Sequence, residues 1–323
     1  MQAGARLTST LPLRSRLVST SYERSGRNLS TSTTTSSRTS SLVKSFTVNY
    51  NNTRSFTNNT GKMSKNTECC PPQSNSNPSK PNVPHPTSDP IGYKYNGEFK
   101  SVANYDKVYV TGPESAKHAL VVIYDIFGFW DTTIKGSDTL VSHLASTFPT
   151  KVLMPDVFKG KPFPADKDGD KETLQKFFAT TAKLDERLPE VLDFAKELQK
   201  SYEKVSILGY CWGGKLTLLS LAEGTPFNAG AVAHPAMIAP EDGEKLSVPL
   251  GFYPSHDEPK DVVEKIVNDF KSKPFGDKCG YHLYDTVHHG WAAARANLND
   301  PENVKQFEDV YKRLSEWFAS AKA

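Results

Sequence analysis

Several protein classes are excluded by what this 323-residue chain does not contain. No stretch approaches the ~18–20 consecutive apolar residues needed to span a bilayer, which rules out a protein held in the membrane by apolar helices. There are only four cysteines, at 69, 70, 211 and 279. Their spacing offers neither a disulfide framework nor a zinc pattern, and the adjacent Cys69 and Cys70 cannot easily bridge each other. This usage fits a reducing compartment, where a thiol stays reduced and reactive. A nucleotide-binding glycine fingerprint is lacking, so no cofactor is expected. His118, His143 and His234 have no ligand partners at metal-binding spacing, so no metal is expected either.

Acidic residues are nearly missing from the first 62 positions. Nine Lys or Arg stand there against one acid, Glu23, a net charge of +8, which leaves −5 for the remainder of a chain whose total is +3. The remainder has no basic face to suggest a nucleic-acid partner. Residues 1–62 are rich in Ser and Thr, with Arg6, Arg14, Arg16, Arg24, Arg27 and Arg38 among Leu7, Leu11, Leu13 and Leu17. That is the composition of a mitochondrial transit peptide, and it lacks the apolar run of a secretory signal; a plain disordered tail has a similar composition. Met63 reads as a second start, and initiation there would give a cytoplasmic protein. Residues 63–92 are Pro/Ser/Asn-rich and are expected to be a linker or arm.

From about residue 93 to 323 the pattern is that of one α/β domain. Short apolar runs at 107–111, 119–124, 151–154, 204–208, 230–233, 248–252 and 281–284 predict strands. Helical spacing at 134–147, 171–201, 213–223, 261–271 and 302–319 predicts helices, the second broken near Pro189. The run Ala119-Leu120-Val121-Val122-Ile123-Tyr124 is continuously apolar, as in a strand buried on both faces. Alternation of this kind predicts a mostly parallel sheet with helices on both faces. Catalytic residues are then expected on loops at the carboxyl ends of strands.

One segment carries a chemical signature. Gly209-Tyr210-Cys211-Trp212-Gly213 follows a predicted strand and opens a predicted helix, the context of a nucleophile elbow with cysteine in the nucleophile's place. A sharp turn brings backbone close, and only small residues fit beside it. Cys211 would stand at a helix N-terminus, where the partial positive charge favours thiolate. In this fold the triad runs nucleophile, acid, histidine along the chain. The predicted strand at 248–252 leads into Pro254-Ser255-His256-Asp257-Glu258-Pro259. Asp257 is the expected carboxylate, with Glu258 as competitor and His256 as a solvated loop residue. The strand at 281–284 leads into Val287-His288-His289-Gly290-Trp291. His289 is the expected base because Gly290 permits a tight loop, and His288 is the alternative. Cys279 reads as a buried strand-end residue.

These residues resemble the dienelactone hydrolase family of α/β-hydrolases over about residues 93–319. The resemblance rests on Gly209-Tyr210-Cys211-Trp212-Gly213-Gly214, Tyr124-Asp125-Ile126-Phe127-Gly128, Pro155-Asp156 and His289-Gly290-Trp291-Ala292-Ala293, and is nearest to the fungal members. It implies an α/β-hydrolase fold and a Cys–Asp–His triad. It also implies an oxyanion hole formed by the backbone N–H groups of Ile126 and Trp212. Bacterial members carry glutamate where Asp125 stands, against the resting thiol, so Asp125 is the counterpart for gating the thiol or meeting substrate. Those enzymes grip a substrate carboxylate with arginines; here Arg295 is displaced by two positions, and Lys159 and Lys161 are not equivalent substitutes. Phe127, Trp291 and Arg295 are candidates for the substrate pocket, with Phe129, Trp130 and Trp212 as further aromatic candidates. The expected activity is hydrolysis of small esters or lactones through a thioester. The competing reading is a hydrolase-like fold with a binding or regulatory role.

Overall fold

The computed structural model describes residues 92–321. The transit-peptide expectation, the second start at Met63, the linker and Cys69-Cys70 all fall outside the described residues.

An eight-stranded sheet forms the centre. Its strands are β1 (Glu98–Val102), β2 (Tyr105–Thr111), β3 (His118–Ile123), β4 (Thr150–Pro155), β5 (Lys204–Tyr210), β6 (Gly230–Ala233), β7 (Leu250–Tyr253) and β8 (Gly280–Tyr281). They lie in the order β1-β2-β4-β3-β5-β6-β7-β8. β1 and β2 form an antiparallel hairpin, and β2 runs antiparallel to β4. From β4 to β8 every pairing is parallel. Residues 119–123 and 205–210 are buried throughout, as continuous apolar runs covered on both faces should be.

Two groups of helices cover the sheet. α1 (Asp131–Leu144) packs against α7 (Pro301–Ala321), over β2, β4 and β7. α4 (Trp212–Ser220) packs over β3, β5 and β6 and against α3 (Leu184–Leu198). α5 (Glu241–Glu244) and α6 (Lys260–Lys271) pack together beside α4. α2 (Lys171–Thr180) is capped by Asp170, whose carboxylate accepts the N–H groups of Glu172 and Thr173.

Three local expectations differ from what is found. β1 is additional: its residues are almost all exposed, so no apolar pattern marks it. The helical stretch at 171–201 breaks at 181–183 and not at Pro189, which sits inside α3. Pro189 forfeits only the bond its N–H would have given to the Asp185 carbonyl. The actual break is held by side chains: Arg187 Nε, from the first turns of α3, donates to the Thr181 carbonyl, and Trp212 Nε1, from α4, donates to the Ala182 carbonyl. The strand expected at 281–284 is regular only as far as Tyr281. Beyond that its partner β7 reaches Pro254, which has no N–H to give, and pairing resumes as a single bridge from Ser255 to Tyr284.

The α1–α7 contact reaches toward the loops above the sheet. A Cβ on Gly136 would lie 1.9 Å from the Tyr311 hydroxyl. That hydroxyl accepts from Tyr210 Oη at 2.9 Å and donates to the Ala292 carbonyl at 2.7 Å. Gly136→Ala is expected to destabilise the fold by about 2–4 kcal/mol, since the buried ring cannot retreat without losing both bonds. Urea unfolding checks this.

Candidate active site

The sequence Gly-Tyr-Cys-Trp-Gly-Gly folds as a strand, a reversal and a helix. Cys211 sits between β5 and α4 with φ +53° and ψ −116°, a conformation that side chains other than glycine rarely adopt. The glycines make room for the reversal. A Cβ on Gly209 would meet the Gly213 carbonyl oxygen at 2.1 Å, one on Gly213 the Ile123 carbonyl at 2.3 Å, and one on Gly214 the Pro235 side chain at 2.8 Å. Cys211 is 3% exposed. Its N–H donates to the Ala233 carbonyl, and its own carbonyl accepts from Ala236. The turn is thereby stitched to the loop after β6.

Trp212 is the first residue of α4, so its N–H has no acceptor within the helix. Its indole is buried against Phe158, with centroids 4.8 Å apart. Ile126 follows β3, and its carbonyl accepts the Phe163 N–H at 2.8 Å. Asp125 is 3% exposed; one oxygen accepts the Phe127 N–H at 2.9 Å and the other the Ala294 N–H at 3.0 Å. Asp125 therefore ties the segment after β3 to the loop that carries the histidines.

That loop is held at successive backbone positions. Asn303 donates to the Trp291 carbonyl, Tyr311 to that of Ala292 and Thr132 to that of Ala293. With Asp125 on the Ala294 N–H, side chains from α1, α7 and the β3 loop satisfy four consecutive residues. A buried loop needs such partners, because water cannot supply them. Gly290, at φ +97°, makes the bend after His289.

His289 Nδ1 lies 2.6 Å from Glu258 Oε1, both side chains being buried. This corrects the expectation for Asp257. Asp257 Oδ2 accepts the backbone N–H of His289 at 2.8 Å, and its other oxygen lies 3.2 Å from His256 Nε2. The reason is position: the two carboxylates leave successive residues of the turn leading to α6, and there Asp257 meets the backbone of the histidine loop while Glu258 meets the imidazole. The other Glu258 oxygen is held by the Ser255 N–H. Asp257 thus supports the loop, and Glu258 meets the ring. His288, the alternative base, has its Nε2 3.3 Å from the Arg295 carbonyl. Burial pushes its imidazole down to about 4. His256 lies in the same turn as Glu258, with Nδ1 3.2 Å from the Asp285 carbonyl.

A further residue went unassigned in the sequence. His234, directly after β6, is fully buried at φ +37°. Its ring lies 5.1 Å from both His289 and Trp291, edge to face. Burial holds its imidazole well below the ordinary value, so the ring is neutral. His234 adjoins Ala233, whose carbonyl anchors Cys211, so the ring contact puts His289 at the same corner as the elbow.

The expected pocket residues divide. Trp291 is fully buried against His234 and Tyr284 and belongs to the core. Phe127 is nearly buried beneath the guanidinium of Arg295, whose carbon is 5.6 Å from the ring centre. Phe129 packs on Phe99 and Tyr124, and Trp130 lies beside Phe127. Trp212 is fully buried and belongs to the core, beneath an open surface depression bounded by Phe178, Ala182, Leu184 and Met237. Lys159 is engaged with Glu190. Cys279 is half-buried and accepts the Leu250 N–H at 3.4 Å. Among the described residues no group of three or more His, Cys, Asp or Glu side chains is disposed to hold a metal ion. No helix of the described residues is long and apolar enough to cross a membrane.

The sheet order, the elbow after β5 and the histidine loop after β8 define an α/β-hydrolase fold. A Klebsiella pneumoniae crystal structure of the dienelactone hydrolase type has this architecture, with a TM-score of 0.55 at 16% identity over 69% of this chain and 98% of that one. The sequence pattern of the dienelactone hydrolase family matches residues 107–322, and the chain belongs to that family. Similar proteins include an uncharacterised AIM2 family protein of Schizosaccharomyces pombe, 27% identical over 77% of this chain and 98% of that protein. The human carboxymethylenebutenolidase homolog is 25% identical over 73% of this chain and 97% of that protein.

The buried histidines give the fold a pH dependence. Between about pH 6.5 and about 4 the unfolded chain takes up a proton at His288 that the folded chain refuses. Stability present above that window is lost as pH falls through it, and His234 acts in the same direction. The urea midpoint is expected to be lower at pH 5 than at pH 7, and His288→Asn is expected to shrink that difference. Equilibrium unfolding at the two pH values measures it.

Proposed function

We propose that the protein is a cysteine-dependent hydrolase of small carboxylic esters or lactones. Cys211 is the nucleophile, His289 the general base and Glu258 the carboxylate that orients it. Family membership supports hydrolysis of such a bond. The observation that carries the mechanism is the 2.6 Å contact between His289 Nδ1 and Glu258, beside a cysteine held in a strained reversal.

Glu258 fixes the proton of His289 on Nδ1 and leaves Nε2 as the base. The N-terminus of α4 favours the thiolate. Nε2 takes the thiol proton as sulfur attacks the carbonyl carbon. The oxyanion is received by the backbone N–H groups of Ile126 and Trp212, and losing one such donor costs about 10²–10³ in rate. Collapse breaks the bond to the alkoxide, which takes the proton from His289, and a thioester remains. Water, deprotonated by Nε2, then attacks the thioester and releases the acid and the thiol. Asp125 positions the Phe127 and Ala294 backbone on either side of this chemistry. For the N-terminus we infer delivery to mitochondria when translation begins at Met1 and a cytoplasmic protein when it begins at Met63.

Cys211→Ala is expected to abolish hydrolysis of 4-nitrophenyl acetate while leaving the circular dichroism spectrum unchanged. Full activity in that variant rejects the mechanism. The two neighbouring acids separate in the same assay. Glu258→Gln is expected to lower kcat about 10³–10⁴-fold, since an amide cannot hold the required tautomer. Asp257→Asn is expected to cost less than about tenfold, because the amide oxygen still accepts the His289 N–H. Equal losses in the two variants would contradict the assignment of Glu258.

A further inference from the structure

Arg295 stands at the edge of the site with its charge already matched. A Cβ on Gly290 would lie 2.9 Å from Arg295 Cδ, so the stem of the arginine crosses the bend just after the base. Its head lies over Phe127, next to the expected oxyanion donor Ile126. There Nη2 meets Asp168 Oδ1 at 2.6 Å, with the two side chains 8% and 6% exposed. Asp168 closes a short 3-10 turn, Ala165–Lys167, in the loop between β4 and α2. That loop is itself bound to the site through the Phe163 N–H on the Ile126 carbonyl. The partner of Arg295 is therefore built in, and its pairing needs no further ordering of the chain.

An anionic substrate would have to displace Asp168 or share the guanidinium with it. Displacement leaves a buried carboxylate without its cation, which is strongly unfavourable. Sharing sets two like charges side by side.

Resting on the hydrolase reading above, we propose that the site takes electrically neutral esters, and that Asp168 determines this specificity by occupying Arg295.

The test compares two esters with one leaving group, 4-nitrophenyl pentanoate and the mono-4-nitrophenyl ester of glutaric acid. The full chain is expected to favour the pentanoate in kcat/KM by about 100-fold or more, the scale of an unpaired charge in a buried site. Equal rates, or preference for the glutarate, overturn the proposal without any variant. Asp168→Asn is expected to reduce the preference about tenfold by raising kcat/KM for the glutarate, as Arg295 regains an uncompensated charge. The double variant Asp168→Asn, Arg295→Gln is expected to restore the preference. An unchanged ratio in a folded Asp168→Asn protein overturns the role of Asp168. If the folded protein hydrolyses neither ester, the hydrolase reading falls and this specificity falls with it. Slow turnover with the wrong preference removes only the specificity.

Discussion

Everything at this site depends on one backbone reversal, the left-handed conformation of Cys211 between β5 and α4. A cysteine at φ +53° is unfavourable by itself, of the order of 1–3 kcal/mol. It persists because the surroundings leave no alternative. Gly213 packs on the carbonyl of Ile123, Gly209 packs on Gly213, and Gly214 packs on Pro235. Relaxing the turn would separate β3, β5 and the loop after β6 at once. The same reversal places Cys211 at the start of α4, whose first N–H groups have no partner within the helix. In the proposed mechanism, strain, oxyanion donors and thiol activation share this single cause.

The partner loop is organised by a different kind of force. Nothing in 288–295 is regular secondary structure, yet the loop is buried. Its position comes from polar side chains of α1, α7 and the β3 loop that satisfy its backbone one residue after another. Each bond contributes only about 1 kcal/mol net, but leaving any one unmade costs more. This gives the imidazole of His289 a fixed place without a strand or helix to carry it. Asp125 belongs to this system. Its two oxygens bridge the segment after β3 and the histidine loop, so these two are joined through buried hydrogen bonds as well as through the sheet. Arg295 and Asp168 extend the connection to the loop after β4 and close that side of the site.

The elbow was legible because its chemistry is local. Strand, glycine, cysteine, glycine and helix occur in one stretch of chain, and each glycine has a steric reason that adjacent residues supply. His289 stood out as a candidate for a similar reason, since Gly290 marks the bend that follows it. The carboxylate was not legible. Asp257 and Glu258 are neighbours in one turn, both acidic, and which of them meets the ring depends on the distance to a loop 31 residues away. The conformation of the packed turn decides it, by directing one carboxylate to the backbone of that loop and the next to the imidazole. The helix break at 181–183 was hidden in part for the same reason: the indole of Trp212, distant in the sequence, holds it together with the nearby guanidinium of Arg187. Pro189, the conspicuous local signal, sits inside a helix that tolerates it.

Sequence alone determined the class of architecture and the buried central strands, and it singled out Cys211 and His289 as candidates, since these follow from periodicity and from contiguous motifs. Tertiary structure decided which acid meets the His289 imidazole, which aromatic rings belong to the core, and that the charge of Arg295 is already matched by Asp168. Each of these is a distance between residues far apart along the chain, and no local pattern of side chains encodes such a distance.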